Sequence, residues 1–189
     1  MSLDSPTGLI VRIIGFSYSC LEDPNAGPIL TFLGFTLGVG LCEEFAKAIP
    51  IMYALDENKI LNGYDACLVG LASGMGFGIA ESIHYSEKLY NGQAGAETYL
   101  IRFISLVSLH AMWSGIAAIF VFNNNVGLFQ FKQIPKVLGI SLLLHGLYDR
   151  LITRDDYEFA AKFVAIATFG LFGWLIQRHR TPVSQFHLA

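Results

Sequence analysis

The chain has 189 residues, of which 53% are hydrophobic and only 14% charged, with a net charge of -3 and a mean hydropathy of +0.51. A soluble domain usually carries about a quarter charged residues, so much of this surface faces something other than water. The small net charge and the lack of any Lys/Arg cluster exclude nucleic acid as a partner.

The first apolar stretch, LIVRIIGFSYSCL (Leu9–Leu21), is too short for a 30 Å hydrocarbon core at about 1.5 Å per residue. It reads as an interfacial helix or a partial span, and it lacks the order of a signal peptide. Five longer segments come close to the roughly 20 apolar residues a spanning helix needs. Segment A runs from Ile29 to Leu55, B from Ala66 to Tyr85, C from Thr98 to Phe122, D from Val137 to Ile152, and E from Phe159 to Gln177. Segment D is short and extends back toward Ile134. The connectors between them are rich in Asn, Gly, Asp and Pro, the residues of turns. Alternation at period two is absent, which argues against a β-barrel. The prediction is an all-α, polytopic transmembrane bundle of about five spans. Residues 1–189 form a single multi-pass domain in the lipid bilayer.

Within this frame, Pro50 is expected to kink segment A or end its regular part. Gly34 and Gly38 in A, and Gly70, Gly74 and Gly78 in B, recur every four residues and so mark close-packing faces. Ordinary membrane helix packing is the simpler reading; the functional reading adds that such packing holds the acidic side chains of A and B near each other. Basic residues divide into Arg12, Lys88, Arg150 and Arg154 on one side, against Lys59, Lys132, Lys136, Arg178 and Arg180 on the other, a bias toward a cytoplasmic C-terminus. Cys20, Cys42 and Cys67 are odd in number and widely spaced; Cys42 and Cys67 read as small hydrophobes. Arg102 and Lys162 lie near helix starts and snorkel. Trp113 and Trp174 read as packing or interface residues, and His179 and His187 as solvated in a polar tail.

The polar residues inside the spans carry the functional signal. Segment A holds Glu43, Glu44 and Lys47, B holds Glu81, C holds His110, and D holds His145 and Asp149. A charge at the bilayer centre costs roughly 2.5–3.5 kcal/mol, so each must face protein or a wet cavity. For any one of them a satisfied structural pair is the simpler reading. On four helices together, a single site explains them best. Glu43 and Lys47 are i,i+4 and share a face, as do His145 and Asp149, and Glu44 is i,i+3 from Lys47. Phe77 and Glu81 set an aromatic ring beside a carboxylate. Several carboxylates crowded in a low dielectric cannot all ionise together. A carboxylate base beside an acid or imidazole is equipment for hydrolysis. The same residues also offer a zinc set with water in the fourth position, drawn from His110, His145 and Glu81.

EEFAK (an EExxK pattern), FGIAE (FxxxE), the isolated His110 and HGLYD (HxxxD), in that order on successive segments, resemble the PrsW family of intramembrane proteases. That family is related to the Abi/CAAX-processing protease group, and the resemblance covers residues 30–152 as a catalytic core. It implies a polytopic endopeptidase of a bacterial or archaeal inner membrane. The implied substrate is another membrane protein, such as a single-span anti-sigma factor. Carried over motif by motif, it implies Glu43 as the base on a water, Glu81 as its second-motif partner, and His145 with Asp149 as the oxyanion-stabilising pair. Glu81 stands where the CAAX group has histidine, and Asp149 where it has asparagine. Which residue shares the water with Glu43 therefore stays open, with His110 a candidate for the missing histidine's role. The favoured mechanism needs no cofactor; a zinc-dependent protease with the same residues is the alternative. The chain is short for the family, which leaves room for an outer helix.

Readings from other classes are a proton-coupled transporter and a membrane scaffold with a buried polar network. A transporter would be expected to show an inverted repeat, and none is visible. A di-iron bundle would need two ExxH helices, and the chain offers one, at Glu81 and His84.

Overall fold

A computed structural model of the chain describes residues 6–23, 25–87, 95–153 and 155–179. Among these the architecture is all-helical. The elements are α1 (Pro6–Glu22), α2 (Pro28–Gly34), α3 (Leu41–Asp56), α4 (Gly63–Tyr85), α5 (Ala96–Asn123), α6 (Ile134–Ile152) and α7 (Glu158–His179). A π-helical turn, Phe35–Gly40, joins α2 to α3, so that Pro28–Asp56 is one 29-residue rod. Lys88, Arg154, Arg180 and His187 lie outside the described residues, as does the side chain of Arg102.

Helix ends follow from local chemistry. Asn62 caps α4 by accepting from the backbone N–H of Tyr64 and Asp65, both at 2.9 Å. Asp65 reaches back to accept from Leu61 N at 3.2 Å. At the other end of the preceding helix, Asn58 takes φ 53°, which lets Lys59 N bond Ala54 O at 2.9 Å and close α3. A proline in the first turn of α6 needs no backbone donor there, which explains why that helix begins at Ile134.

Among the described residues, four helices are long and apolar enough to cross a membrane: Pro28–Asp56, Gly63–Tyr85, Tyr99–Asn123 and Glu158–His179. That is one fewer than the five segments expected. Helix α6 has 19 residues, but Lys136, Asp149 and Arg150 dilute its apolar run. Helix α5 is the centre of the bundle: 67% of its span is buried, against 28%, 28% and 17% for the other three. The core joins Ile51 and Met52 of α3, Ala66 of α4, Ala118 and Val121 of α5, and Leu138 of α6. Helix α7 sits outside, with Phe163, Ile166 and Phe169 all more than half exposed, a face suited to lipid.

Of the two outcomes expected at Pro50, an end to the helix is not seen: α3 continues to Asp56. Beside the proline, Ser73 Oγ donates to Lys47 O at 2.7 Å, adding a bond from the neighbouring helix. The glycines do not bring segments A and B together. A Cβ on Gly70 would lie 2.7 Å from Ala118 Cβ, one on Gly74 2.7 Å from Ala111 Cα, and one on Gly78 2.8 Å from Val107 Cα. They seat α4 on α5, not on α3. Gly34 and Gly38 instead receive Ser17 of α1, and α1 thereby packs on the π turn rather than standing apart.

Candidate active site

Helix α3 carries EExxK directly after the π turn, and the wide turn sets which way the motif points. Gly146 of α6 is pressed on Thr36 within that turn, which holds α6 against the start of α3. The Gly70–Gly78 seam draws the backbone of α5 close to α4, so that His110 comes level with Glu81. The Gly146–Thr36 contact and the Gly70–Gly78 seam thus help bring four helices to one point.

At that point Glu44 and Lys47 form a buried ion pair, with side-chain exposures of 0% and 1%. By spacing, both Glu43 and Glu44 are within reach of Lys47; the structure pairs it with Glu44, which is fully buried, while Glu43 is partly exposed. Lys47 Nζ also lies 2.7 Å from His110 Nδ1 and 5.0 Å from the Phe77 ring centroid. His145 Nδ1 is 2.9 Å from Glu44 Oε1. Its Nε2 faces Asp149 Oδ2 at 3.3 Å and Glu43 Oε2 at 3.6 Å. His110 Nε2 is 2.6 Å from Glu81 Oε2, but neither atom has an aligned hydrogen bond. All seven residues singled out in the sequence therefore belong to one connected cluster.

The proton positions follow from the partners. An ammonium only donates, so Lys47 must donate to His110 Nδ1, and the ring proton of His110 sits on Nε2. A carboxylate bound to an ammonium accepts, so His145 donates from Nδ1 to Glu44. The inner half of the cluster is closed off from solvent and tied together through Glu44 Oε1, while Glu44 Oε2 is buried without a hydrogen-bond partner. The outer half is open: Glu43, Glu81 and Asp149 have side-chain exposures of 18%, 17% and 22%. Glu43 Oε2, Glu81 Oε2 and His110 Nε2 are buried atoms with no hydrogen-bond partner. Buried polar atoms are normally paired, and unpartnered donor and acceptor atoms this close together can receive a polar guest.

One residue the sequence reading set aside belongs here. Trp113 is fully buried and stacks on His145, with centroids 4.5 Å apart and planes 15° apart. It meets His110 edge-on at 5.4 Å. The available signal was its i,i+3 spacing from His110, which puts both on one face of α5. His179, expected in a solvated tail, is instead the last residue of α7 and packs on Gly63. Lys162, expected to snorkel, is exposed and pairs with Glu158 at 2.8 Å.

These observations define a multi-pass membrane protein with a buried cluster of acids, imidazoles and one lysine. The profile of the PrsW family intramembrane metalloprotease matches residues 7–175, and the chain belongs to that family of intramembrane proteases. No curated protein and no solved structure matches it.

The family description implies a metal, and the donors can be tested against one. Glu43, His110 and His145 each offer a ligand-type atom, and these lie within 4.8 Å of one another. The carboxylate in this set is Glu43, where the sequence reading had Glu81. A zinc-bound imidazole gives one nitrogen's lone pair to the metal and donates its other N–H to a carboxylate, carbonyl or water. His145 is arranged that way, with Nδ1 on Glu44. His110 is not: its lone pair is taken by the Lys47 ammonium, and its Nε2 carries the proton. With Lys47 in place, a zinc ion held by both histidines does not fit this hydrogen-bond pattern.

Proposed function

We propose that the chain is a glutamic-type intramembrane endopeptidase in which Glu43 activates a water. The supporting observation is the triangle of Glu43, His110 and His145 donor atoms, all within 4.8 Å of one another. Three atoms so spaced all lie within about 2.8 Å of some point between them, which is within hydrogen-bond reach. A water there accepts from imidazole N–H groups and donates to Glu43, which matches its two donors and two acceptors.

In this mechanism Glu43 removes a proton as the water oxygen attacks the scissile carbonyl carbon. The carbonyl oxygen gathers negative charge, and His145 Nε2–H, aimed by Glu44 on Nδ1, stabilises it. The carbon–nitrogen bond then breaks as protonated Glu43 returns its proton to the leaving amine. Glu81 sets a carboxylate 2.6 Å from His110 Nε2, and Asp149 sets one 3.3 Å from His145 Nε2, so negative charge flanks both ring nitrogens. The substrate is a peptide bond in or near the membrane segment of another membrane protein. A single-span anti-sigma factor in a bacterial or archaeal cell membrane is the partner we favour. The core that performs the reaction is residues 30–152.

The experiment is cleavage of a tethered membrane peptide by the purified protein in proteoliposomes, with Glu43→Gln as control. Cleavage by the wild type and none by the variant is the expected result. An uncleaved peptide together with proton flux across the same vesicles would favour the transporter reading, whose Glu/His chain has the make-up of a proton relay.

A further inference from the structure

We propose that Trp113, anchored by Thr168 of α7, is a positioning residue that sets the ring planes of both histidines. This rests on the reading that His110 and His145 flank the water of Glu43.

An imidazole held by a single hydrogen bond can still swing about it. His145 has one aligned bond, from Nδ1 to Glu44, and two loose contacts at Nε2. What remains to fix its plane is the stacked indole at 4.5 Å and 15°. His110 is similarly placed. Its aligned bond is to Lys47, its Nε2 contact is unaligned, and its faces meet Phe77 at 5.3 Å, Trp113 at 5.4 Å and His145 at 5.2 Å. Trp113 meets both rings and also lies 5.8 Å from Lys47 Nζ. Offset or tilted aromatic pairs have preferred geometries, so a fixed indole fixes its neighbours.

The indole is itself held. Its Nε1–H points to Thr168 Oγ1 at 3.4 Å, and Thr168 donates that hydroxyl's proton to Val164 O at 2.9 Å. Thr168 and Trp113 are both fully buried. The outer helix α7, which carries none of the four motifs, is thereby coupled to the cluster through one side-chain contact. Function requires groups held to about 10–20°, and misplacement by about 1 Å can cost about 10²-fold in rate.

The test compares Trp113→Phe, Trp113→Leu and Thr168→Val in the purified protein. Steady-state cleavage of the tethered peptide is read alongside NMR of the protein labelled at histidine. A ring stacked on an indole has its protons shifted upfield. In Trp113→Leu, the His145 ring resonances are expected to move downfield and kcat to fall by about 10²-fold with KM little changed. Trp113→Phe restores a flat ring and is expected to recover most of both. Thr168→Val is expected to lower kcat by less than Trp113→Leu. Unshifted His145 resonances in folded Trp113→Leu would overturn the proposal whatever the activity. So would equal losses in the Phe and Leu variants that merely follow thermal stability. Failure of the underlying reading looks different: His145→Ala would then cleave like the wild type while the resonance shifts persist.

Discussion

Glu43 and Glu44 are adjacent in sequence and opposite in circumstance. Glu44 is closed off from solvent, paired to Lys47 and accepting from His145. Glu43 is partly exposed and lies 3.6 Å from His145 Nε2, and each of the two glutamates keeps one unpartnered oxygen. A buried ion pair tied by a second hydrogen bond resists change and holds geometry; a partly exposed carboxylate with spare lone pairs can take a proton. The dry half of the cluster therefore builds the site, and the open half is where chemistry can occur. One step along the helix separates these roles, because successive residues point about 100° apart.

The difference can be broken from either side. Glu43→Gln keeps size and hydrogen bonding but removes the base. It should lower peptide cleavage by about 10²–10⁴-fold, with thermal unfolding in detergent little changed. His145→Ala should come next, losing about 10²–10³-fold as the oxyanion donor disappears. Wild-type turnover by either purified variant would remove that residue from the mechanism. Lys47→Met should act on the other half. It leaves Glu44 as a buried carboxylate without its cation, a change that costs roughly 3–5 kcal/mol in buried pairs. Loss of stability should therefore accompany loss of activity, and adding Glu44→Gln should restore stability without restoring cleavage. Equal melting temperatures for Lys47→Met and the wild type would contradict the division. Gly74→Ala should be milder still. Its Cβ would press on the backbone of His110 and Ala111, and overpacking of this kind typically costs about 1–3 kcal/mol. Unfolding measurements on Gly74→Ala and Gly139→Ala separate the seam from open space, since nothing lies within 4 Å of a Cβ at Gly139.

Much of this arrangement was legible in the sequence, for definite reasons. Apolar runs gave the helices because a bilayer leaves the backbone few alternatives. The seven polar residues were legible because a charge in a span must find a partner. What the sequence left unread depends on rotation and on partners in space. Spacing made both Glu43 and Glu44 eligible for Lys47, and the choice rests on the rotation of α3, which follows the π turn at Phe35–Gly40 and sets Glu44 inward. Four-residue glycine spacing announced a close contact but did not name α5 as its other side. Trp113 reads as ordinary packing until His145, 32 residues later in the chain, is seen lying flat against it. Segment D lost its place among the long apolar spans because Lys136, Asp149 and Arg150 outweigh its leucines.

The smallest effect expected is that of removing metal. The open half of the cluster has the donor types of a zinc site, and the dry half is what argues against one. Lys47 donates to His110 Nδ1 at 2.7 Å, which leaves the Nε2 of that ring protonated. Zinc would have to displace that proton, and the lysine offers no acceptor to take the Nδ1 proton that a ligating imidazole carries. Cleavage by the wild type should therefore survive strong chelators unchanged. Lys47→Met is the informative companion. It frees His110 Nδ1, lets the ring adopt the other tautomer and removes a repelling charge, so zinc affinity should rise even as activity falls. Zinc content measured on both proteins after equal exposure checks this directly. Stoichiometric zinc in the active wild type, with cleavage lost on chelation and regained with zinc, would overturn the glutamic mechanism. Glu43, His110 and His145 would then be its ligands.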